Sequence, residues 1–488
     1  MCFAAIRKMS ALSQGANHHI QKLYYTTTTR SIIDYAAPVL YNLTEQQLTS
    51  LEVTQNNAIR CILGAPMWTR LCNLNAETNL PTLKTRIFIR NTHIITKSLL
   101  HRPDSWLSRR AKEDLNRHPD LPAPNLHSTY LGNAVRHCNL QSTLSSLQPQ
   151  TTNPQHQRCI APWEETPFTT IYTKLSHSKN NCTPAQLLTL TRSSISLANN
   201  GGDNIYYTDG SVDPVSNRTG AAVSSTTYTA SWRTSDTCST LQTELIAIKQ
   251  SLHHSLDSRQ GSTIIHTDSK SAIQALQHRR HAHNASLLYH IQHLIKQHHT
   301  QGRPVKLHWI PSHIGIEAND HADQLAKDAT LSNIIHIHVP QALSQIKALT
   351  RPIITRDIQH NLQHWATHNS PSAGWYSQTS LNLPAPITKH TPRGLQTTIA
   401  RLRLGYKCTW EIINPVLREC QYCTFTPQHS LLHYLLTCPA TLTLRAGLQT
   451  TPYTNHPNAI QDAIKIVRHI TTHLDTHSQL LLNKPPPR

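Results

Sequence analysis

Charge is scarce in this chain, and acidic charge scarcest of all. Its 488 residues hold 26 Asp plus Glu against 45 Lys plus Arg, and charged residues make up only 15%, below the usual quarter. Thr, Ser, Gln, Asn and His fill the polar positions instead, a compositional habit from which no function follows. No apolar run reaches 18 residues, so no transmembrane helix and no membrane partner are expected. No long apolar run follows Met-Cys-Phe-Ala-Ala-Ile-Arg-Lys, which argues against a secretory signal. The 11 Cys are scattered, which suits a reducing compartment better than a disulfide framework. The expected location is therefore intracellular, in cytoplasm or nucleus. The chain has no internal repeat, and its length predicts two to four domains.

The balance that remains is strongly basic. A formal charge of +19 exceeds what colloidal solubility needs. It points to a polyanion, which phosphate attraction holds without sequence choice. The 34 His residues add positive charge if the pH falls. Against this background, the places where the few acids fall carry the information.

Organisation follows from periodicity. Residues 1–110 read as helical, with Leu48, Leu51, Gln55, Ile59 and Ile62 on one helix face and Gly64-Ala65-Pro66 ending it. Residues 111–203 are rich in Pro, Ser, Thr, Asn and Gln and read as a linker with short ordered pieces; Trp163 and Phe168 are candidates to dock on a neighbour. Residues 204–330 alternate strand and helix signals: strands at 205–208, 221–226, 228–233, 263–267 and 305–310, and helices at 239–256, 269–277, 285–299 and 319–329. Ser239 and Gln242 fit a capping box. Hairpins first and crossovers afterwards predict an α/β domain, a mixed five-stranded sheet with flanking helices. Residues 331–400 read as a connection, 401–445 as a small Cys/His module and 446–488 as a polar tail.

Four acids occupy distinctive slots. Asp209 lies in Tyr-Thr-Asp-Gly-Ser at a predicted strand end, and Asp268 in His-Thr-Asp-Ser at another. Glu244 lies beside the apolar stripe of the 239–256 helix, where a carboxylate is costly unless paired or metal-bound. Asp323 lies in the helical stretch Asn-Asp-His-Ala-Asp-Gln-Leu-Ala, four residues before Lys327, with which it can simply pair. Singly each is weak, since Thr-Asp-Gly-Ser is also an ordinary turn. If the two strands are neighbours, the acids converge in the crevice at the strand ends. Converging acids repel unless cations neutralise them. Carboxylate and water ligands select Mg²⁺ or Mn²⁺, and a pair of such ions hydrolyses phosphodiesters.

Residues 204–330 resemble the type I ribonuclease H domain, through Tyr-Thr-Asp-Gly-Ser (207–211), Thr-Glu-Leu-Ile-Ala-Ile (243–248), Thr-Asp-Ser (267–269), Trp-Ile-Pro-Ser-His (309–313) and the 319–326 stretch. The resemblance implies that Asp209, Glu244, Asp268 and Asp323 bind two Mg²⁺ or Mn²⁺ ions, with Asp209 bridging. It implies that His313 is the loop histidine that shuttles a proton or helps product leave. The substrate is then the RNA strand of an RNA–DNA hybrid, distinguished from DNA through the 2′-hydroxyl. One departure is visible: between Ala275 and Ala285 there is only a short segment with His-Arg-Arg-His (278–281), where some relatives carry a basic substrate-binding helix. That shifts expected hybrid binding onto Arg279, Arg280 and other parts of the chain.

The flanks extend the resemblance. Cys420-x2-Cys423-x9-His433-x4-Cys438 has spacing that can close a tetrahedral zinc site, with His429 a rival for the third ligand. Arg401, Arg403 and Lys407 beside it would suit nucleic-acid binding. The segment resembles the Cys-Cys-His-Cys module at the end of non-LTR, jockey-like retrotransposon polyproteins. Leu402-Arg403-Leu404-Gly405-Tyr406 resembles the stretch before that module, and residues 24–90 the region after the reverse-transcriptase palm. No Asp-Asp dipeptide occurs, so the Tyr-x-Asp-Asp motif of a polymerase is absent. The expectation is a C-terminal polyprotein part whose palm, a possible partner, lies upstream. Two other readings stand beside it: an inactive nucleic-acid-binding remnant, and a transposase or integrase, which would use a different helix-borne acid and lack the Trp-Ile-Pro-Ser-His loop.

Overall fold

The computed structural model describes residues 2–10, 15–40, 43–116, 126–145, 147, 167–173, 182–199, 201–236, 238–257, 261–277, 284–339, 341–368, 370–380, 390–405, 407–412, 417–448 and 458–487. They form two compact units. One joins Met1–Thr92, Asp120–Leu140 and Leu349–Arg488; the other joins His93–Pro119 and Gln141–Ala348.

The second unit is built on a single sheet of six strands: β1 (Phe168–Tyr172), β2 (Asn204–Val212), β3 (Thr219–Ser224), β4 (Thr229–Thr234), β5 (Thr263–Thr267) and β6 (Val305–Trp309). The strand order is β1-β6-β5-β2-β3-β4. β2, β3 and β4 pair antiparallel, whereas β2–β5, β5–β6 and β6–β1 pair parallel. The helices that follow β1 and flank the sheet include α1 (Pro184–Ala198), α2 (Thr240–Asp257), α3 (Lys270–Gln277), α4 (Ala285–Thr300) and α5 (Glu317–Leu331).

The expected mixed α/β architecture is present, but the sheet has six strands rather than five. The sixth is β1, inside the segment read as a linker. Phe168 is buried in the same apolar cluster as Val305 and Leu307, and it faces Val305 in register. Five residues with polar Thr169 and Thr170 at their centre carry little periodic signal, so the strand was visible only as one aromatic seeking a neighbour. α1, from the same segment, starts at a capping box between Thr183 and Gln186 with Pro184 at its first turn.

Alternation along the strands sorts residues to two faces. Tyr206, Ala221, Val223, Ile265 and Leu307 join one core with Leu245, Ile248 and Leu252 of α2 and Leu288, Ile291 and Ile295 of α4. The Ser239–Gln242 capping box forms in both directions: the Ser239 N–H donates to Gln242 Oε1 at 3.0 Å, and the Gln242 N–H to Ser239 Oγ at 3.3 Å. On the opposite face α5 lies close over β3. A methyl group on Gly220 would stand 2.3 Å from the Ala326 carbonyl oxygen, so only glycine permits that approach. Beside it, α1 covers two fully buried histidines. His266 Nδ1 and His308 Nδ1 lie 3.0 Å apart, His308 Nε2 meets Ser194 Oγ at 2.9 Å, and His266 Nε2 meets Asn199 Oδ1 at 3.2 Å.

The first unit is helical. The helix Glu45–Leu63 buries Gln55, Ile59 and Ile62 and ends at Gly64 in the left-handed conformation, φ 65°. The expected polar tail 446–488 is instead ordered over much of its length. Helices Ala459–Thr472 and Leu474–Asn483 carry Ala463, Ile466, Val467, Ile470 and Leu481 into a core with Leu395, Leu402 and Tyr434. Apolar residues at helical spacing pack there although Thr, His and Asn dominate the segment's polar positions. The connecting region 331–400 likewise supplies the helices Leu343–Thr367 and Pro371–Ser380 and most of Arg393–Leu404. No helix among the described residues is long and apolar enough to cross a membrane.

Candidate active site

Asp209 does not end its strand. β2 runs on to Val212, and Asp209 stands opposite Ala222 of β3. The hairpin extends the strand past the acid because Gly210 and Ser211 pair with Ala221 and Gly220. Thr267, the last residue of β5, pairs with Thr208, so Asp268 follows the strand directly beside Asp209. Parallel pairing of β2 with β5 therefore brings two acids 59 positions apart to one point at the carboxyl end of β5, in the middle of the sheet.

Glu244 arrives from α2, whose first turn crosses β2 at Gly210. A Cβ there would lie 2.4 Å from Thr243 Oγ1 and 2.5 Å from the Glu244 backbone nitrogen. Glu244 is 4% exposed, and its Oε2 is buried without a hydrogen-bond partner. The Gly210 backbone N–H is the group that favours its charged form. Carboxylate oxygens of Asp209, Glu244 and Asp268 all lie within 4.8 Å of one another, a group able to hold a metal ion.

Asp323 stands at the side of this group. It is near enough to Asp209 to raise that residue's pKa, its Oδ2 accepts from Lys327 Nζ at 2.6 Å, and it lies 3.9 Å from His313 Nδ1. The simple pairing with Lys327 and the approach to the acids thus hold together. His313 is exposed, in the loop between β6 and α5, at φ 54°, a conformation uncommon outside glycine.

The electrostatics follow from burial without a cation. Burial, then the charges of Asp268 and Asp323, push Asp209 up to about 7. Burial, then Asp209 and Asp268, hold Glu244 well above the usual carboxylate range. Asp209 thus stays partly protonated at neutral pH until positive charge enters the group.

Next to the acids lies a feature absent from the sequence reading. The Lys270 ammonium sits 5.8 Å from the Tyr172 ring centroid and 5.7 Å from that of Trp309. Lys270 follows Asp268 by two positions, and Trp309 stands in the Trp-Ile-Pro-Ser-His motif, so two of the three had a signal. Tyr172 had none, because its place depends on β1. Arg279 and Arg280 lie outside the described residues.

In the first unit, Cys420, Cys423, His433 and Cys438 form a second group of ligand atoms within 4.8 Å of one another. The Cys423 N–H donates to the Cys420 carbonyl, and the Tyr422 N–H to Cys420 Sγ at 3.4 Å, which turns both thiols inward. His433 Nε2 lies 3.3 Å from Cys423 Sγ, while Nδ1 meets Thr437 Oγ1 at 2.8 Å and fixes the ring. His429 is not in the group; it lines a cavity of about 870 Å³ with Trp68, Trp375 and Leu432. Arg401 is half-buried. Arg403 departs from its expected role: it is 4% exposed and ion-paired with Glu77, which also accepts from the Tyr376 hydroxyl at 2.9 Å. A guanidinium committed to a buried carboxylate presents nothing to a nucleic acid.

Residues 202–331 match the family model of RNase H. No curated protein matches the chain. Residues 202–331 are thus an RNase H domain, and the matched stretch contains the three clustered acids, Asp323 and His313 but not β1.

Proposed function

We propose that the chain is a ribonuclease H: it hydrolyses the RNA strand of RNA–DNA hybrids at Asp209, Glu244, Asp268 and Asp323, with divalent cations. The observation that carries this is the three-acid group with the orphaned Glu244 Oε2. A buried carboxylate oxygen with no donor is destabilising by itself, and a hard cation satisfies it. The donor set is oxygen only, which suits Mg²⁺ or Mn²⁺ and disfavours Zn²⁺. Asp209, Glu244 and Asp268 would hold the ions, with Asp323 beside them.

When bound, such ions supply the acidity that lets water attack a phosphodiester and the charge that the departing 3′ oxygen needs. The chain's own residues do the remaining work. The central strands β2 and β5 and the helix α2 hold the acids in place before any ligand arrives. His313 lies 3.9 Å from Asp323, and from its exposed loop the imidazole would carry a proton between substrate and solvent. The basic chain draws the hybrid in, and contacts to the 2′-hydroxyl select RNA.

The test is direct. Purified full chain with Mg²⁺ and a labelled hybrid yields RNA cleavage products, and Asp209→Asn yields none. Equal cleavage by both, or none by either, removes the proposal. The inactive-remnant reading is less favoured, because a remnant has no need of four acids held together. Hybrid binding without any metal-dependent product would favour it.

The cysteine–histidine group supports a second site. Its soft, closed donor set suits one structural Zn²⁺. Together with the RNase H domain, that module supports the reading of a retrotransposon-derived protein, with a reverse-transcriptase palm as a partner domain. A polymerase palm encoded in frame upstream of Met1 would test that origin.

A further inference from the structure

Lys270 is exposed at the start of α3, yet it is not loose. It lies over two rings that are themselves fixed. The Tyr172 hydroxyl donates to Gln277 Oε1 at 3.1 Å, and the Gln277 side-chain amide donates to Thr170 Oγ1 at 3.0 Å. The Trp309 indole N–H donates to the Asp268 backbone carbonyl at 3.1 Å. Tyr172 and Trp309 are register partners of β1 and β6. Among the described residues Lys270 has no carboxylate partner, although Asp268 is two positions away. An ammonium held by ring faces keeps its three donors for another acceptor. Beside a group of acids that repel any polyanion, a fixed cation without a counterion is what a phosphate requires.

We propose that Lys270, held over Tyr172 and Trp309, binds a backbone phosphate of the hybrid next to the scissile bond, which makes strand β1 part of the substrate site. This rests on the ribonuclease H reading and extends it to a residue, Tyr172, outside the matched 202–331. Lys270 positions the strand and takes no part in the bond-breaking step. The contact is to phosphate, so it weakens all hybrids alike, whatever their sequence.

The experiment uses the full chain and two labelled hybrids of different sequence. Cleavage is followed in Mg²⁺; binding is followed in the Asp209→Asn background as a function of salt. Lys270→Ala is expected to raise KM roughly three- to tenfold for both hybrids, with kcat little changed, and to lower the slope of log K against log salt by about 1. Lys270→Arg restores most of the affinity, and Tyr172→Leu, which keeps bulk but loses the ring face, falls between. An unchanged KM and slope in Lys270→Ala, or a loss confined to kcat, overturns the proposal and leaves the ribonuclease reading standing. If the unsubstituted chain binds hybrid but never cuts, the ribonuclease reading falls and the salt slope alone decides on Lys270. If it binds no hybrid, both fall.

Discussion

Gly210 lies directly beneath the backbone of Glu244: a methyl group added to it would stand 2.5 Å from the Glu244 nitrogen. The distance sets how near α2 comes to β2, and so where the Glu244 carboxylate sits relative to Asp209. Gly210→Ala is therefore expected to push the first turn of α2 outward, destabilising the domain by about 1–3 kcal/mol. Cleavage should drop more than stability does. A denaturant melt alongside hybrid cleavage separates the two, and a variant with full activity would show that Glu244 needs no such close approach.

Asp209 is predicted to trade stability for activity. Burial and its acidic neighbours raise it from 3.8 to about 7. The fold favours its protonated form, so that contribution is complete below 3.8 and is lost as pH rises through about 7. At pH 8 in EDTA that contribution is absent, and Mg²⁺ should offset the loss. Asp209→Asn, expected also to abolish cleavage, is expected to melt at least about 3 °C higher than the parent chain in EDTA and to gain far less from Mg²⁺. A less stable Asp209→Asn in EDTA would contradict the repulsion account.

The histidine pair under α1 predicts the opposite pH dependence. Burial lowers His266 from 6.5 to about 3 and His308 to about 4. Both are neutral in the fold and ionise more readily when it opens. Their contribution is complete above 6.5 and is lost as pH falls toward 4. Thermal stability should fall over that window, and His308→Gln, which keeps a donor and an acceptor without a titrating ring, should flatten the profile. Loss of the slope in a His313→Gln control instead would shift its origin to the loop.

Strand β1 should prove integral to the domain. Phe168 is buried at 8% exposure in the main core, so Phe168→Ala is expected to cost about 3–5 kcal/mol. Circular dichroism melts will detect that. A cost under about 1 kcal/mol would mean that the sheet stands without its sixth strand.

For the cysteine–histidine group, purified chain is expected to carry one zinc per molecule, and Cys420→Ser to lose it together with stability. Elemental analysis decides the matter, since a zinc-free, fully folded parent would leave the group without a metal.

The domain was legible because its signals are local. The stripe Leu245, Ile248 and Leu252, the capping pair Ser239 and Gln242, and the strand cores at 205–208 and 263–267 depend only on near neighbours. The acids were legible by context, each beside a turn or on a helix. What escaped depends on distant pairing. Tyr172 and Phe168 gain meaning only against β6, and the extension of β2 past Asp209 only against β3. Arg403 looked like a surface cation because its partner, Glu77, is 326 residues away. The helices at 459–483 were hidden by polar residues that share their outer faces.

The place of β1 also has a consequence in time. Among the described residues Phe168–Tyr172 pairs only with Val305–Trp309, about 140 residues later. At a synthesis rate of roughly 5–20 residues per second, the strand waits on the order of ten seconds with no partner made. During that interval it is an open edge, the kind of segment that recruits a neighbouring chain. Its brevity and its two central threonines make it a poor template, so the residues that concealed β1 as a strand also protect it while it waits.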